Sequence, residues 1–148
     1  MTQNLENILI GANKKEYATQ TGTNIHAQLR HVIVDAKGNG GAPEFVELIQ
    51  NRSDLKPFFC ANAKTEVPIA GYINGHFISR RIDRLLINNK NKNIDFIDYK
   101  TDTDKNAFVE QYKKQLKEYA QLLKSAYPDY KINGYILWIN DWTLDKII

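Results

Sequence analysis

Asp98 and Lys100 are the first candidates for chemistry, because they stand two residues apart in the segment IDFIDYKTDTDK. If this segment is a β-strand, alternate side chains share a face, so both residues continue a face that begins with the apolar Ile94. A carboxylate and an ammonium would then extend a core face, where burying a charge is costly. The pair therefore predicts a chemical role; the alternative is an ion pair at the edge of a sheet.

A second carboxylate, Asp83, belongs to the preceding β-like run RRIDRLLI, which the turn NNKNKN joins to the strand of Asp98. If the two runs form a hairpin with Ile87 opposite Ile94, antiparallel counting places Asp83 opposite Asp98. Directly opposed residues have Cβ atoms roughly 4.5–5.5 Å apart, so the two carboxylates would repel each other. The alternative is a surface ion pair between Asp83 and a neighbouring arginine.

A divalent cation would resolve the repulsion between these two carboxylates. Mg²⁺ prefers hard oxygen ligands and is typically held by one or two carboxylates, with water and phosphate completing its shell. Lys100 lies on the same predicted face, where its ammonium would hold a phosphate oxygen or stabilise transition-state charge. The three residues together predict metal-assisted phosphodiester hydrolysis with Mg²⁺ or Mn²⁺.

Three further polar residues lie beside apolar helical stripes. Gln115 and Tyr119 are four residues apart on a predicted long helix, where they would orient a substrate phosphate or the lysine. His26 lies next to Leu29 on the predicted first helix and is a candidate metal ligand or proton-transfer group. The alternatives are structural: Tyr119 as core with a polar tip, and His26 as a packing residue.

The framework that must position these residues can be predicted from hydrophobic periodicity and turn signals. The pattern predicts, in order, a helix from Thr23 through Ile33, a short helix from Pro43, three strands between Lys64 and Thr101, a helix from about Asp104 to Ala126, a strand in KINGYILWIN and a short strand at LDKII. This order is typical of an α/β or α+β domain with a mixed sheet.

The composition sets broad limits. The 148 residues, 43% of them hydrophobic, suit a single domain, with residues 1–21 as a polar lead-in. The net charge of +3 is compatible with a polyanionic partner without requiring one. Cys60 is the only cysteine, which excludes a disulfide framework and favours a reducing cytoplasm. No signal peptide, bilayer-spanning run or phosphate-binding G-x-x-x-x-G-K-[ST] motif occurs in the sequence.

The motifs RRIDRLLI, IDFIDYKTDTD and QYKKQLKEYAQLL, in this order, resemble the signature of RecB-family nucleases in the PD-(D/E)XK superfamily. GTNIHAQL, TEVPIAG and GYILWIN extend the similarity to roughly residues 20–148. The whole set most resembles the C-terminal nuclease domain of AddA-type helicase–nuclease subunits. The resemblance implies a restriction-endonuclease-like fold, with a mixed central sheet flanked by helices.

The resemblance also implies roles for individual residues. It implies Asp83, Asp98, His26 and the backbone carbonyl of Tyr99 as metal ligands, Lys100 as the catalytic lysine, and Gln115 and Tyr119 as helix residues near the DNA. Glu66 matches a recurrent family position without an assigned role. Arg80 stands where the family usually has glycine, so it would alter the approach of DNA or add a phosphate contact. Predicted phosphate contacts are Arg80, Arg81, Arg84 and the Lys90/Lys92 turn; the alternative is an ordinary solvated basic face.

The function implied by the resemblance is a Mg²⁺- or Mn²⁺-dependent deoxyribonuclease, an exonuclease on DNA ends or single strands in double-strand-break repair. It would bind DNA without base specificity and work with a helicase motor and an AddB-like partner subunit. The alternative is an inactive nuclease-fold module that binds DNA or a helicase partner without cutting.

Overall fold

A five-stranded mixed sheet organises the chain in the computed structural model, which describes residues 24–148. The elements are α1 (described over 24–29), β1 (Ile33–Asp35), β2 (Gly38–Gly40), α2 (Pro43–Gln50), a 3₁₀ turn (Lys56–Phe59), β3 (Lys64–Ile73), β4 (His76–Asn88), β5 (Asn93–Lys100), α3 (Lys105–Ala126), β6 (Lys131–Trp138) and β7 (Thr143–Lys146). This confirms the α/β class with a mixed sheet flanked by helices. The predicted lead-in over 1–21 and the start at Thr23 lie outside the described residues.

The strands of the large sheet follow the order β3-β4-β5-β6-β7. Only β5 and β6 are parallel, and α3 forms the crossover between them. A parallel pair needs such a crossover, whereas the antiparallel neighbours are joined by short turns. The site candidates on β4, β5 and α3 therefore belong to one continuous β-β-α unit.

Helices cover both faces of this sheet. Ile94 and Phe96 of β5 pack with α3 in one core, and Ile97 and Tyr99 pack with α1, α2 and the 3₁₀ turn in the other. The central strand β5 is thus covered on both sides. Among residues 24–148, no helix is both long and apolar enough to cross a bilayer.

Most predicted boundaries are confirmed. The helix α3 begins after Asp104, whose carboxylate accepts a hydrogen bond from the backbone N–H of Ala107 at 3.2 Å as an N-cap. The prediction that the first helix continues through Ile33 is wrong, because the helix ends at residue 29 and Ile33 begins β1. The β-branched stretch around Ile33 favours a strand, and Asp35 closes the following turn by accepting from Lys37 N–H.

Gly134 provides a test of the α3-side core. It pairs with Phe96 across β5 and β6, and a Cβ there would lie 2.6 Å from the Phe96 ring. Because Phe96 is fully buried, we expect Gly134→Ala to lower the free energy of unfolding by about 1–3 kcal/mol. Urea denaturation would measure this. Gly40→Ala, whose Cβ would meet its nearest atom at 3.8 Å, is the matched control; equal midpoints for the two variants would contradict the prediction.

Candidate functional site

The candidate site lies where β4 and β5 separate. The predicted register is confirmed, with Ile87 opposite Ile94, and the ladder continues to the pair Arg84–Ile97 before it stops. Beyond that point Asp83 bonds to β5 through its side chain: its Oδ2 accepts the backbone N–H of Tyr99 at 2.7 Å. The carboxylate thus replaces a main-chain partner and is fixed at the fork between the strands.

The other neighbour of β4 is also irregular at this level. The β3–β4 ladder pairs Thr65 with Arg84 and Val67 with Ile82, but it omits Glu66–Asp83. Glu66 has φ of +53°, a left-handed conformation that is unfavourable for a residue with a side chain. Strained backbone of this kind clusters at functional sites. The sheet is therefore distorted on both sides of Asp83.

Asp98 carries a buried oxygen without a hydrogen bond. Asp98 is 5% exposed. Its Oδ2 atom forms an ion pair with Lys100 Nζ at 2.7 Å, but the angles of this contact are not those of a hydrogen bond. Burial raises the pKa of Asp98 to about 6; the positive charge of Lys100 opposes the rise, and the negative charge of Asp83 adds to it. Asp83 and Asp98 are therefore electrostatically coupled, although the ladder stops before the predicted Asp83–Asp98 pair.

Lys100 is held by a chain of hydrogen bonds from α3. Its Nζ donates to Gln115 Oε1 at 2.9 Å, and Gln115 Nε2 donates to the Tyr119 hydroxyl at 2.7 Å. The ammonium also lies 4.1 Å from the centre of the Tyr112 ring, a cation–π contact. Burial raises the pKa of Tyr119 to about 12, so this hydroxyl stays neutral. The structure thus brings together Lys100, Gln115 and Tyr119, although their roles remain predictions.

His26 approaches the cluster from α1. Its Nδ1 lies 3.5 Å from Asp83 Oδ1, and its ring packs edge-on against Tyr99. The bond to Asp83 raises the pKa of His26, against the opposing effect of burial. The contact links the helix on one face of the sheet to the fork between the strands. The Tyr99 N–H is occupied by Asp83, and its carbonyl remains a predicted ligand.

The predicted phosphate contact by Arg84 is wrong, because this side chain lies in the core and cannot reach DNA. It is 1% exposed, and its guanidinium donates four hydrogen bonds to neutral acceptors. The acceptors are the Tyr99 hydroxyl (2.7 Å) and the carbonyls of Phe58 (2.9 Å), Leu29 (2.6 Å) and Val32 (2.9 Å). Within the described residues Asp83 forms no ion pair with Arg81 or Arg84, so the surface-pair alternative for Asp83 is not seen.

The other predicted phosphate contacts differ in their distance from the cluster. The Arg80 and Arg81 side chains are 42% and 69% exposed, with contacts of 3.4 Å to Glu118 and Glu66. Both remain accessible to a ligand. The Lys90/Lys92 turn lies at the opposite end of the β4–β5 hairpin from the site.

A polar groove of about 470 Å³ opens beside Lys100, and Arg80 and Lys114 also line it. Sequence reasoning missed Lys114 and Glu118, although both follow Gln111 at helical spacing along the groove. It also missed Asp102, which accepts a hydrogen bond from the hydroxyl of Tyr112, the residue whose ring Lys100 contacts. The groove brings three cations together, which suits a phosphate-bearing ligand.

The donor set fits a hard divalent cation. Two buried carboxylates stand at the fork, and one Asp98 oxygen has no hydrogen bond. Among residues 24–148, no three His, Cys, Asp or Glu side chains already converge as a metal-binding group. The two carboxylates by themselves suit Mg²⁺, which usually takes one or two carboxylates and completes its shell with waters and phosphate oxygens.

Comparison with known proteins adds no assignment: no protein-family model matches the chain, and no curated protein matches it significantly. The geometry of the cluster and the sequence motifs therefore carry the functional interpretation.

Proposed function

We propose that this chain is a Mg²⁺- or Mn²⁺-dependent deoxyribonuclease with a restriction-endonuclease-like fold. The observation that carries the proposal is the buried, unbonded Oδ2 of Asp98 beside Lys100. Burial raises the pKa of Asp98 to about 6 although the charge of Lys100 opposes the rise, so the ionised carboxylate is costly in this position. A cation shared with Asp83 would satisfy both carboxylates.

The residues divide the work of hydrolysis among them. Bound at Asp83 and Asp98, Mg²⁺ would activate a water and neutralise charge on the phosphate oxygens. Lys100, oriented by Gln115, presents its ammonium to the groove, where it would stabilise the charge that develops on the scissile phosphate. Tyr119 fixes Gln115 through its hydroxyl, so α3 supplies the orientation, and β4 and β5 supply the charged groups.

Arg80 and Lys114 support DNA as the substrate, since both line the groove beside Lys100. Contacts of this kind recognise phosphates and carry no sequence information. The resemblance to RecB-family motifs adds the expectation of an exonuclease in double-strand-break repair, acting with a helicase motor and an AddB-like subunit.

The test of the proposal is the metal dependence of cutting. We expect the purified chain to degrade linear duplex or single-stranded DNA with Mg²⁺ or Mn²⁺, to stop in EDTA, and to resume when Mg²⁺ is restored. Gel analysis of end-labelled DNA would measure this. Cutting that persists in EDTA would exclude the mechanism, and so would the absence of cutting with either metal.

One observation favours the alternative, a module that binds DNA without cutting. No group of three ligating side chains is already assembled within the described residues. That alternative predicts DNA binding that is the same with Mg²⁺ and with EDTA, and no degradation products in either condition.

A further inference from the structure

An exposed aromatic pair marks the tip of the β3–β4 hairpin. Tyr72 is 74% exposed and Phe77 is 63% exposed, although the two rings are cross-strand partners with centroids 5.5 Å apart. The connecting turn consists of Asn74 and Gly75, both with positive φ, which is the usual signature of a tight hairpin. A cross-strand aromatic pair of this kind stabilises the hairpin, and both rings also remain open to a ligand.

The hairpin has one covered face and one open face. Ile69 packs into the core with α3, and Gly71 approaches Leu122 of that helix. Strand alternation places six residues on the opposite face, and all six are exposed. They are Pro68, Ala70, Tyr72, Phe77, Ser79 and Arg81.

This open face leads from the hairpin tip toward Asp83, on the side of the sheet opposite the α3 face where Lys100 and the groove lie. Along β4 it runs from Phe77 through Ser79 to Arg81, and Asp83 follows two residues later. Phe77 is therefore about 20 Å from Asp83 at a rise of roughly 3.3 Å per residue. At about 3.4 Å per nucleotide, a stacked strand of roughly six nucleotides would cover that distance.

The chemistry of the face selects its ligand. Two rings expose a few hundred Å² at most, far below the roughly 800 Å² per partner of a stable protein interface. Pro68 lacks an N–H on the edge strand β3, which disfavours strand addition by another chain. Exposed rings, followed four residues along β4 by an arginine that is 69% exposed, are instead suited to stacked bases and phosphates.

We propose that this face binds single-stranded DNA, with bases stacked on Tyr72 and Phe77 and the backbone passing Arg81 toward Asp83. The inference rests on the proposed nuclease function for its choice of DNA, and it deepens that function by naming the single strand as the ligand. A duplex fits less well, because its bases already stack on one another and hide their faces from a protein ring.

The test is binding without cutting. Fluorescence anisotropy in EDTA would follow fluorescein-labelled dT20 as the full chain is added. We expect the double variant Tyr72→Ala/Phe77→Ala to bind at least about tenfold more weakly, since stacking contributes substantially for each base. The double variant Tyr72→Phe/Phe77→Tyr keeps both rings and should bind like the original chain. Far-UV circular dichroism would show that each variant is folded.

An abasic strand of the same length separates stacking from other effects. On abasic deoxyribose phosphate, we expect the original chain and the double alanine variant to bind equally. Equal binding of dT20 by these two proteins would overturn the inference. Self-association of the original chain that the double alanine variant loses, measured by analytical ultracentrifugation, would also overturn it, because a second copy would then cover the face.

The binding test is independent of hydrolysis, because no divalent cation is present. A chain that binds dT20 through the two rings but never cuts would support this inference and overturn the nuclease. A chain that cuts with Mg²⁺ but binds dT20 equally well without the rings would overturn this inference alone.

Discussion

Asp98→Asn is expected to lower the rate of DNA cutting by on the order of 10³-fold. Asparagine keeps the shape of the side chain but removes the negative charge that a divalent cation requires. It also removes the partner of Lys100, whose Nζ lies 2.7 Å from Asp98 Oδ2. The substitution would therefore remove both the charge that binds the cation and the partner that orients Lys100. Initial rates on end-labelled DNA at saturating Mg²⁺ would measure the loss.

Asp95→Asn is the matched control for this substitution. Asp95 lies on the same strand but on the opposite face, where its oxygens accept from Asn93 and Asn133. We expect its rate to stay within about twofold of the original. Asp98→Asn should remain folded, because burial raises the pKa of this carboxyl and its charge is already unfavourable without a cation. A folded Asp98→Asn protein that cuts at the original rate would exclude Asp98 as a ligand.

The strand core of the site could be predicted from sequence because its signals are local. The β-rich pattern of β5, the NNKNKN turn and the apolar pair Ile87–Ile94 together determine the register. That register brings Asp83 and Asp98 to one end of the hairpin. The helical spacing of Gln115 and Tyr119 likewise fixes which face of α3 meets Lys100.

The departures have non-local causes. RRIDRLLI contains three arginines of the same chemistry, and nothing nearby shows that only Arg84 is buried. Its burial depends on carbonyls contributed by Leu29, Val32 and Phe58, which lie far away in the sequence. The distortion at Glu66 is similar, because its positive φ arises where β3 must follow the fork at Asp83. Tertiary contacts of this kind override local pattern.

Arg84→Met is expected to lower the free energy of unfolding by about 3–5 kcal/mol. Methionine fills similar space with an apolar chain, but it leaves the carbonyls of Phe58 and Val32 and the Tyr99 hydroxyl without the Arg84 donor. The Leu29 carbonyl keeps only the backbone N–H of Val32. It also removes the cation that lies 3.9 Å from the centre of the Phe59 ring. The loss would be a large share of the 5–15 kcal/mol that stabilises a typical domain. Urea denaturation followed by circular dichroism would measure it.

Arg81→Met is the matched control, because Arg81 is 69% exposed and has one contact of 3.4 Å to Glu66. An exposed pair of this kind contributes little, so we expect a change within about 0.5 kcal/mol. Arg84→Lys should behave like Arg84→Met, since an ammonium cannot reach four acceptors that are arranged for a planar guanidinium. If Arg84→Lys is as stable as the original chain, charge alone holds α1 against the sheet. The four hydrogen bonds of the Arg84 guanidinium would then not be what positions His26 beside Asp83.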